Sequence, residues 1–218
     1  MAAVLVVAPH PDDETIGCSG TIFRHIEQGY KVYWLIITNM KENNDYREIR
    51  EKEINTVSKI YGFSSVYRLG FPTSELDTLP LNVLINSVSY VIEEIKPKIV
   101  YIPYRGDIHS DHTIVFDVMV ASTKNFRHPY IKRILAYETI SETDFNINPD
   151  NNGFRPNVFV DIFDYLDKKV EILNIYSSEV NEFPFPRSEK ALRALATLRG
   201  VVAGFNAAEA FMLLKETL

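Results

Sequence analysis

Cysteine is almost missing from this sequence: Cys18 is the single one in 218 residues. One thiol cannot close an internal disulfide, and it excludes every zinc module built on several cysteines. The chain is therefore expected to hold its core by burial and to suit a reducing, cytoplasmic setting. A chain of this length buries roughly 70% of the surface its unfolded form exposes, enough for such a core. Basic residues are in deficit, 23 Lys and Arg against 29 Asp and Glu for a formal charge of −6. With no long basic run, a nucleic-acid or anionic-membrane surface is not expected. Nor does any stretch approach the roughly 18 to 20 continuous apolar residues of a membrane-spanning helix. Residues 1–9 are apolar but run into Asp12, Asp13 and Glu14 without a cationic start, which fits a strand better than a signal peptide. Repeats and linkers are absent too, so residues 1–218 read as one domain. A metal held by histidine and aspartate is left open by all of this.

What is present alternates. Aliphatic runs at 3–8, 31–38 (KVYWLIIT), 65–69 and 99–102 predict strands. Between them, apolar residues at helical spacing predict helices over 14–28, 45–61 and 81–96, the first two stopped by Gly29 and Gly62 and the third by Pro97. Asp111 is placed to cap a further helix running to about Thr123. Strands over 131–138 and 157–161 follow, then helices over 163–176, 188–202 and from Ala207 to the end. Repeated strand–helix units predict an α/β fold: a Rossmann-like, doubly wound, mostly parallel sheet with helices on both faces. Residues 141–156, rich in Asn, Asp and Pro, form the one long loop and are expected to act as a lid or binding segment.

Two segments carry chemistry, and both fall just after a predicted strand and before a helix, where such sheets bind ligands. The first is His10-Pro11-Asp12-Asp13-Glu14. Adjacent carboxylates either face water or a cation; with a metal present, one aspartate can bind it while the other reaches a water beside it. The plain alternative is an acidic first helical turn favoured by the macrodipole. The second is His109-Ser110-Asp111-His112, whose histidines share a face if the chain is helical there, with Asp111 able to orient a ring N–H. Of five histidines, three gather at the strand ends of one sheet, which weakens the plain alternative.

APHPDDE at 8–14 paired with HSDH at 109–112 resembles the signature of the LmbE-like or PIG-L zinc-dependent de-N-acetylases, hydrolases of the N-acetyl group of N-acetylglucosamine-type sugars. The likeness extends to Arg50 and Glu53, LGFP at 69–72, Pro103, Asp107 and AEAF at 208–211. It departs at Thr73, where an acid often follows FP, which moves an acidic substrate contact to Glu75 or Asp77 or removes it. It departs again at Ser178-Glu179, where a Ser-Gln pair is common. The resemblance implies that His10, Asp13 and His112 ligate Zn²⁺, with Fe²⁺ as an alternative ion, and that Asp12 is the general base. It places a protonated His109 beside the oxyanion, with Asp12 or His109 delivering the proton to the amine. Asp111 would orient His109 or His112, with His109 preferred.

Arg50, Tyr104 and Arg105 are candidate substrate contacts, although Arg50 with Glu53 equally suits a structural bridge. Glu14 is either a support behind the site or a helix-start acid, and Cys18 is expected to be packed and inert. The expected partner is a soluble acetamido sugar or conjugate, free, glycosidic or nucleotide-linked, without membrane insertion, and a homo-oligomer agrees with the resemblance. Two other readings compete: a nucleotide-binding oxidoreductase or transferase, which would want G-x-G-x-x-G where HPDDETIGCSG stands, and an inactive sugar-binding module.

Overall fold

The computed structural model describes residues 2–39, 46–147 and 153–218. In chain order these form β1 (Ala3–Ala8), α1 (Asp13–Glu27), β2 (Lys31–Asn39), α2 (Arg47–Tyr61), β3 (Ser65–Pro72), α3 (Leu81–Ile95), β4 (Ile99–Pro103), α4 (Ser110–Ser122), β5 (Arg133–Tyr137), β6 (Val158–Asp161), α5 (Leu166–Leu173), α6 (Glu189–Ala203) and β7 (Ala208–Glu216). The strands make one seven-stranded sheet in the order β3-β2-β1-β4-β5-β7-β6. From β3 to β5 all neighbours are parallel, while β7 runs antiparallel to both β5 and β6.

Strand periodicity divides the core. Along β1, Val4, Val6 and Ala8 face one side with Trp34, Ile54, Val57 and Val170, whereas Leu5 and Val7 face the other with Leu84, Val88, Val115 and Met119. Both faces of β1 are thus buried, which is why its sequence is continuously apolar. Helices α1, α2 and α5 cover the first face, and α3 and α4 the second. The expected α/β architecture is present. The expected helix start at Asp45 and the middle of the long loop, 148–152, lie outside the described residues.

One element differs in kind. The segment from Ala207 onward, expected as a helix, is strand β7, inserted between β5 and β6. Its Ala, Glu, Leu and Lys favour helix locally, but a place in the sheet overrides propensity. Phe211 pairs with Tyr137 on one side and Val158 on the other and is completely buried. Glu209 anchors the strand: its carboxylate accepts from the backbone N–H groups of Gly20 and Thr21, the Thr21 hydroxyl at 2.7 Å and the buried Lys169 ammonium at 2.7 Å. A smaller shift lies at 163–176, where a 3₁₀ turn (Phe163–Tyr165) precedes α5, which ends at Leu173.

Strand order reverses at β1 and β4, which lie side by side with connections leaving in opposite directions. Loops following their carboxyl ends meet over that crevice. The approach of α1 depends on Gly17, where a Cβ would fall 2.3 Å from Cδ2 of the Tyr137 ring. That ring cannot readily retreat, because its hydroxyl donates to Val7 O at 2.8 Å. Gly17→Ala is expected to destabilise the fold by about 1–3 kcal/mol despite alanine's better helix propensity, read as a lowered midpoint in urea denaturation.

Candidate active site

Beyond β1 the chain turns through Pro9, His10 and Pro11 to Asp12, whose φ of 132° is strained for a side-chain-bearing residue. The strain is held from both sides. Asp12 N–H donates to Glu14 Oε2 at 3.0 Å, and Asp12 O accepts from Thr15 and Ile16 at 2.9 Å to start α1. Glu14 is fully buried, bonded by the Thr15 and Tyr176 hydroxyls, and burial lifts its pKa to about 8. It therefore points inward as a brace under Asp12. Beyond β4, His109 caps α4, its Nδ1 accepting from Asp111 N–H at 3.1 Å. The cap is His109 rather than Asp111, and this frees the Asp111 carboxylate.

The two segments converge on Asp13. Its Oδ2 lies 3.5 Å from His10 Nδ1 and 3.3 Å from His112 Nε2, and it also accepts from His10 N–H at 2.9 Å. Each imidazole is pinned from behind by another carboxylate. His10 Nε2 sits 2.9 Å from Asp111 Oδ2, and His112 Nδ1 sits 2.7 Å from Asp107 Oδ2. Asp111 is held in turn by the N–H of Ser74, a residue with φ of 60°, and Asp107 by the Thr143 hydroxyl. The expectation that Asp111 orients His109 or His112 is corrected: Asp111 orients His10, Asp107 orients His112, and His109 Nδ1 is 4.0 Å from Asp111 Oδ2.

Ligand atoms of His10, Asp13 and His112 lie within 4.8 Å of one another, and Asp13 Oδ1 is buried without a hydrogen-bond partner. His10, His109 and Asp111 form a second group of the same compactness. The first fits a metal better, because outer carboxylates fix both imidazoles while their other nitrogens face Asp13, the arrangement that metal-ligating histidines adopt. Two imidazoles and one carboxylate also match an open zinc site. Electrostatics agree. Burial opposes charge on His10 and His112, but Asp111 and Asp13 raise His10 to about 9, and Asp13 and Asp107 raise His112 to about 10. Burial likewise opposes charge on Asp13, yet His112 and His10 hold its pKa well below the usual carboxylate range.

Asp12 and His109 flank this cluster. Burial raises Asp12 to about 7 against the pull of the Arg187 guanidinium, whose Nη1 is 2.7 Å from Asp12 Oδ2. His109 is lowered to about 4 by burial and by the neighbouring His10 and His112, a direction that works against the protonated form the resemblance implies. A cation at Asp13 would press the same way.

Both residues line a cleft of about 190 Å³, together with His10, Thr38, Asn39, Thr73, Arg50, Glu179 and Arg187. Arg50 lies on this wall and also bridges to Glu53 at 3.2 Å. Tyr104 and Arg105 are not on the wall: Tyr104 is buried edge-on against Phe154, and Arg105 pairs with Asp117 at 2.7 Å on the exposed side of α4. Neither Glu75 nor Asp77 lines the cleft; its acid besides Asp12 is Glu179.

Arg187, Glu179 and Asp107 are the site residues to which motif reasoning gave no role. Arg187 sits in FPFPRS, 175 positions from Asp12, with no local pattern to mark it. Asp107→Ala, which unpins the His112 ring, is expected to weaken divalent-metal binding at the cluster about 10- to 100-fold, measured by competitive titration against a chromogenic chelator.

Residues 5–123 match the family model described as GlcNAc-PI de-N-acetylase, PIG-L. The diacetylchitobiose deacetylase of Thermococcus kodakarensis is 27% identical over 224 residues, which covers 94% of this chain and 80% of the relative. The probable N-acetyl-alpha-D-glucosaminyl L-malate deacetylase 2 of Bacillus anthracis is 23% identical over 188 residues, covering 81% of this chain and 80% of the relative. The crystal structure of a conserved protein from Thermus thermophilus superposes with a TM-score of 0.81 at 27% identity, covering 100% of this chain and 97% of that one. The matched span covers more than half of the chain and contains both segments that meet at Asp13, and the protein belongs to the GlcNAc-PI de-N-acetylase (PIG-L) family.

Proposed function

We propose that this protein is a metal-dependent amidohydrolase, a single domain that removes the N-acetyl group from an N-acetylglucosamine-type sugar or conjugate. The observation that carries the reading is the pair of carboxylate-pinned imidazoles facing Asp13 beside Asp12. His10, Asp13 and His112 would hold Zn²⁺, and Fe²⁺ suits the same donors. When bound, the ion supplies Lewis acidity, acidifying water and polarising a carbonyl.

The rest falls to side chains. Asp12 takes a proton from the water that attacks the acetyl carbonyl carbon. The carbon–nitrogen bond then breaks, and the proton passes to the departing amine, giving acetate and a free amino sugar. A carboxyl near 7 suits both transfers, whereas His109 near 4 does not carry a proton, which favours Asp12 for delivery as well. Arg187 fixes the Asp12 carboxylate at 2.7 Å. A neutral His109 at the cleft wall can hydrogen-bond the developing oxyanion. Asp111 acts through His10, holding its ring, and Arg50 holds Glu179 at the cleft wall beside the sugar. Among the described residues no helix is long and apolar enough to cross a membrane, and the partner proposed is a small acetamido sugar.

Asp12→Asn keeps the shape of the carboxylate and lies beside the proposed ligands rather than among them. It is expected to retain zinc while acetate release falls by about 10²- to 10⁴-fold; wild-type turnover in that variant contradicts the base assignment. Chelation should abolish acetate release, and added Zn²⁺ should restore it.

A further inference from the structure

The wall of the cleft opposite the histidines is built from charges that answer one another. Arg187 Nη1 lies 2.7 Å from both Asp12 Oδ2 and Glu179 Oε2, and its Nη2 is 3.5 Å from Glu142 Oε1. Arg50 pairs with Glu53 at 3.2 Å and with the other oxygen of Glu179. One carboxylate, Glu179, thus bridges two guanidiniums, and four carboxylates in all surround the two cations. Exposure decides what a ligand meets there. The Arg50 side chain is 5% exposed and Glu179 28%, so the accessible charge in front of Arg50 is negative.

We propose that Glu179 sets the charge class of the substrate: the site takes uncharged acetamido sugars and rejects carriers bearing a carboxylate or phosphate beside the sugar. This rests on the deacetylase reading above. An anionic carrier must either displace Glu179 from both arginines or approach it as a like charge in a partly desolvated cleft. A sugar hydroxyl has no such conflict, since it donates directly to the exposed carboxylate edge. The remaining cleft residues Thr38, Asn39 and Thr73 are neutral. Among the described residues of the wall, Arg50 and Arg187 are the only arginines or lysines, and both are engaged by carboxylates. Glutamine in place of Glu179 removes one of the four negative charges and leaves a single amide oxygen to accept from one of the two arginines, so the repulsion of an anionic carrier is weakened.

The test compares acetate release by the zinc-loaded protein from two probes, diacetylchitobiose, which is uncharged, and N-acetylglucosaminyl malate, which carries two carboxylates. The wild type is expected to favour the uncharged probe in kcat/KM by about tenfold or more, equivalent to ~1.4 kcal/mol. Glu179→Gln is expected to narrow that ratio by about tenfold, through a KM for the malate conjugate that falls relative to that for the uncharged probe, with Glu179→Ala moving in the same direction. Calorimetric binding of the malate conjugate to wild type and E179Q gives a readout independent of turnover, and E179Q should bind it more tightly. A wild type that prefers the anionic probe, or a ratio and an affinity left unaltered in both variants, overturns the role of Glu179 alone. No acetate from either probe overturns the deacetylase reading, and this inference with it.

Discussion

Everything at the site depends on one buried carboxylate. Asp13 sits at the start of α1, away from water, with one oxygen shared by two imidazoles and the other without any hydrogen-bond partner. An ionised carboxylate in such a place is costly unless positive charge answers it. The surrounding structure is arranged to bring that charge. His10 and His112 come from different strand ends, and each is fixed from outside by a second acid, Asp111 or Asp107, that leaves its inner nitrogen turned toward Asp13. Three acids around two imidazoles favour a cation strongly, whether it is shared protons or a divalent metal.

The fold supplies the convergence. Adjacent parallel strands β1 and β4 end together at the reversal of strand order, so loops about a hundred residues apart in sequence meet there, as the 101-residue separation of His10 and Asp111 shows. The local backbone is strained in the same region. Two of the three described non-glycine residues with positive φ, Asp12 and Ser74, belong to this network, the first presenting its carboxylate and the second donating its N–H to Asp111. Strain of this kind persists only where neighbours over-determine it. The buried Glu14 brace, tied to Thr15 and Tyr176, does so beneath Asp12.

Much of this is legible in the sequence itself. Continuous aliphatic runs marked the buried parallel strands, and the short motifs HPDDE and HSDH marked the loops that follow β1 and β4, because catalytic metal chemistry needs a few residue types at short spacing. Two things are not. Strand β7 is written in residues that favour helix, and only its position between β5 and β6, with Glu209 locked to α1 and Lys169, makes it extended. The wall formed by Arg50, Glu179 and Arg187 depends on pairings across 129 and 8 positions that share no periodicity, so the sequence singles out Arg50, marks Glu179 only as a departure from the family pattern and gives no sign of Arg187. Likewise Asp111 could be recognised as an orienting acid, but the ring it orients is decided by the turn at His109, which spends its own nitrogen on capping α4.

The account stands on a cation held by His10, Asp13 and His112, and metal binding tests it most directly. The protein, stripped with chelator and dialysed against Zn²⁺, should retain about one ion per chain. Asp13→Ala and His112→Ala should lose that ion while their circular dichroism spectra remain those of the folded protein. Full zinc occupancy in both folded variants, or no zinc retained by the wild type, would contradict it.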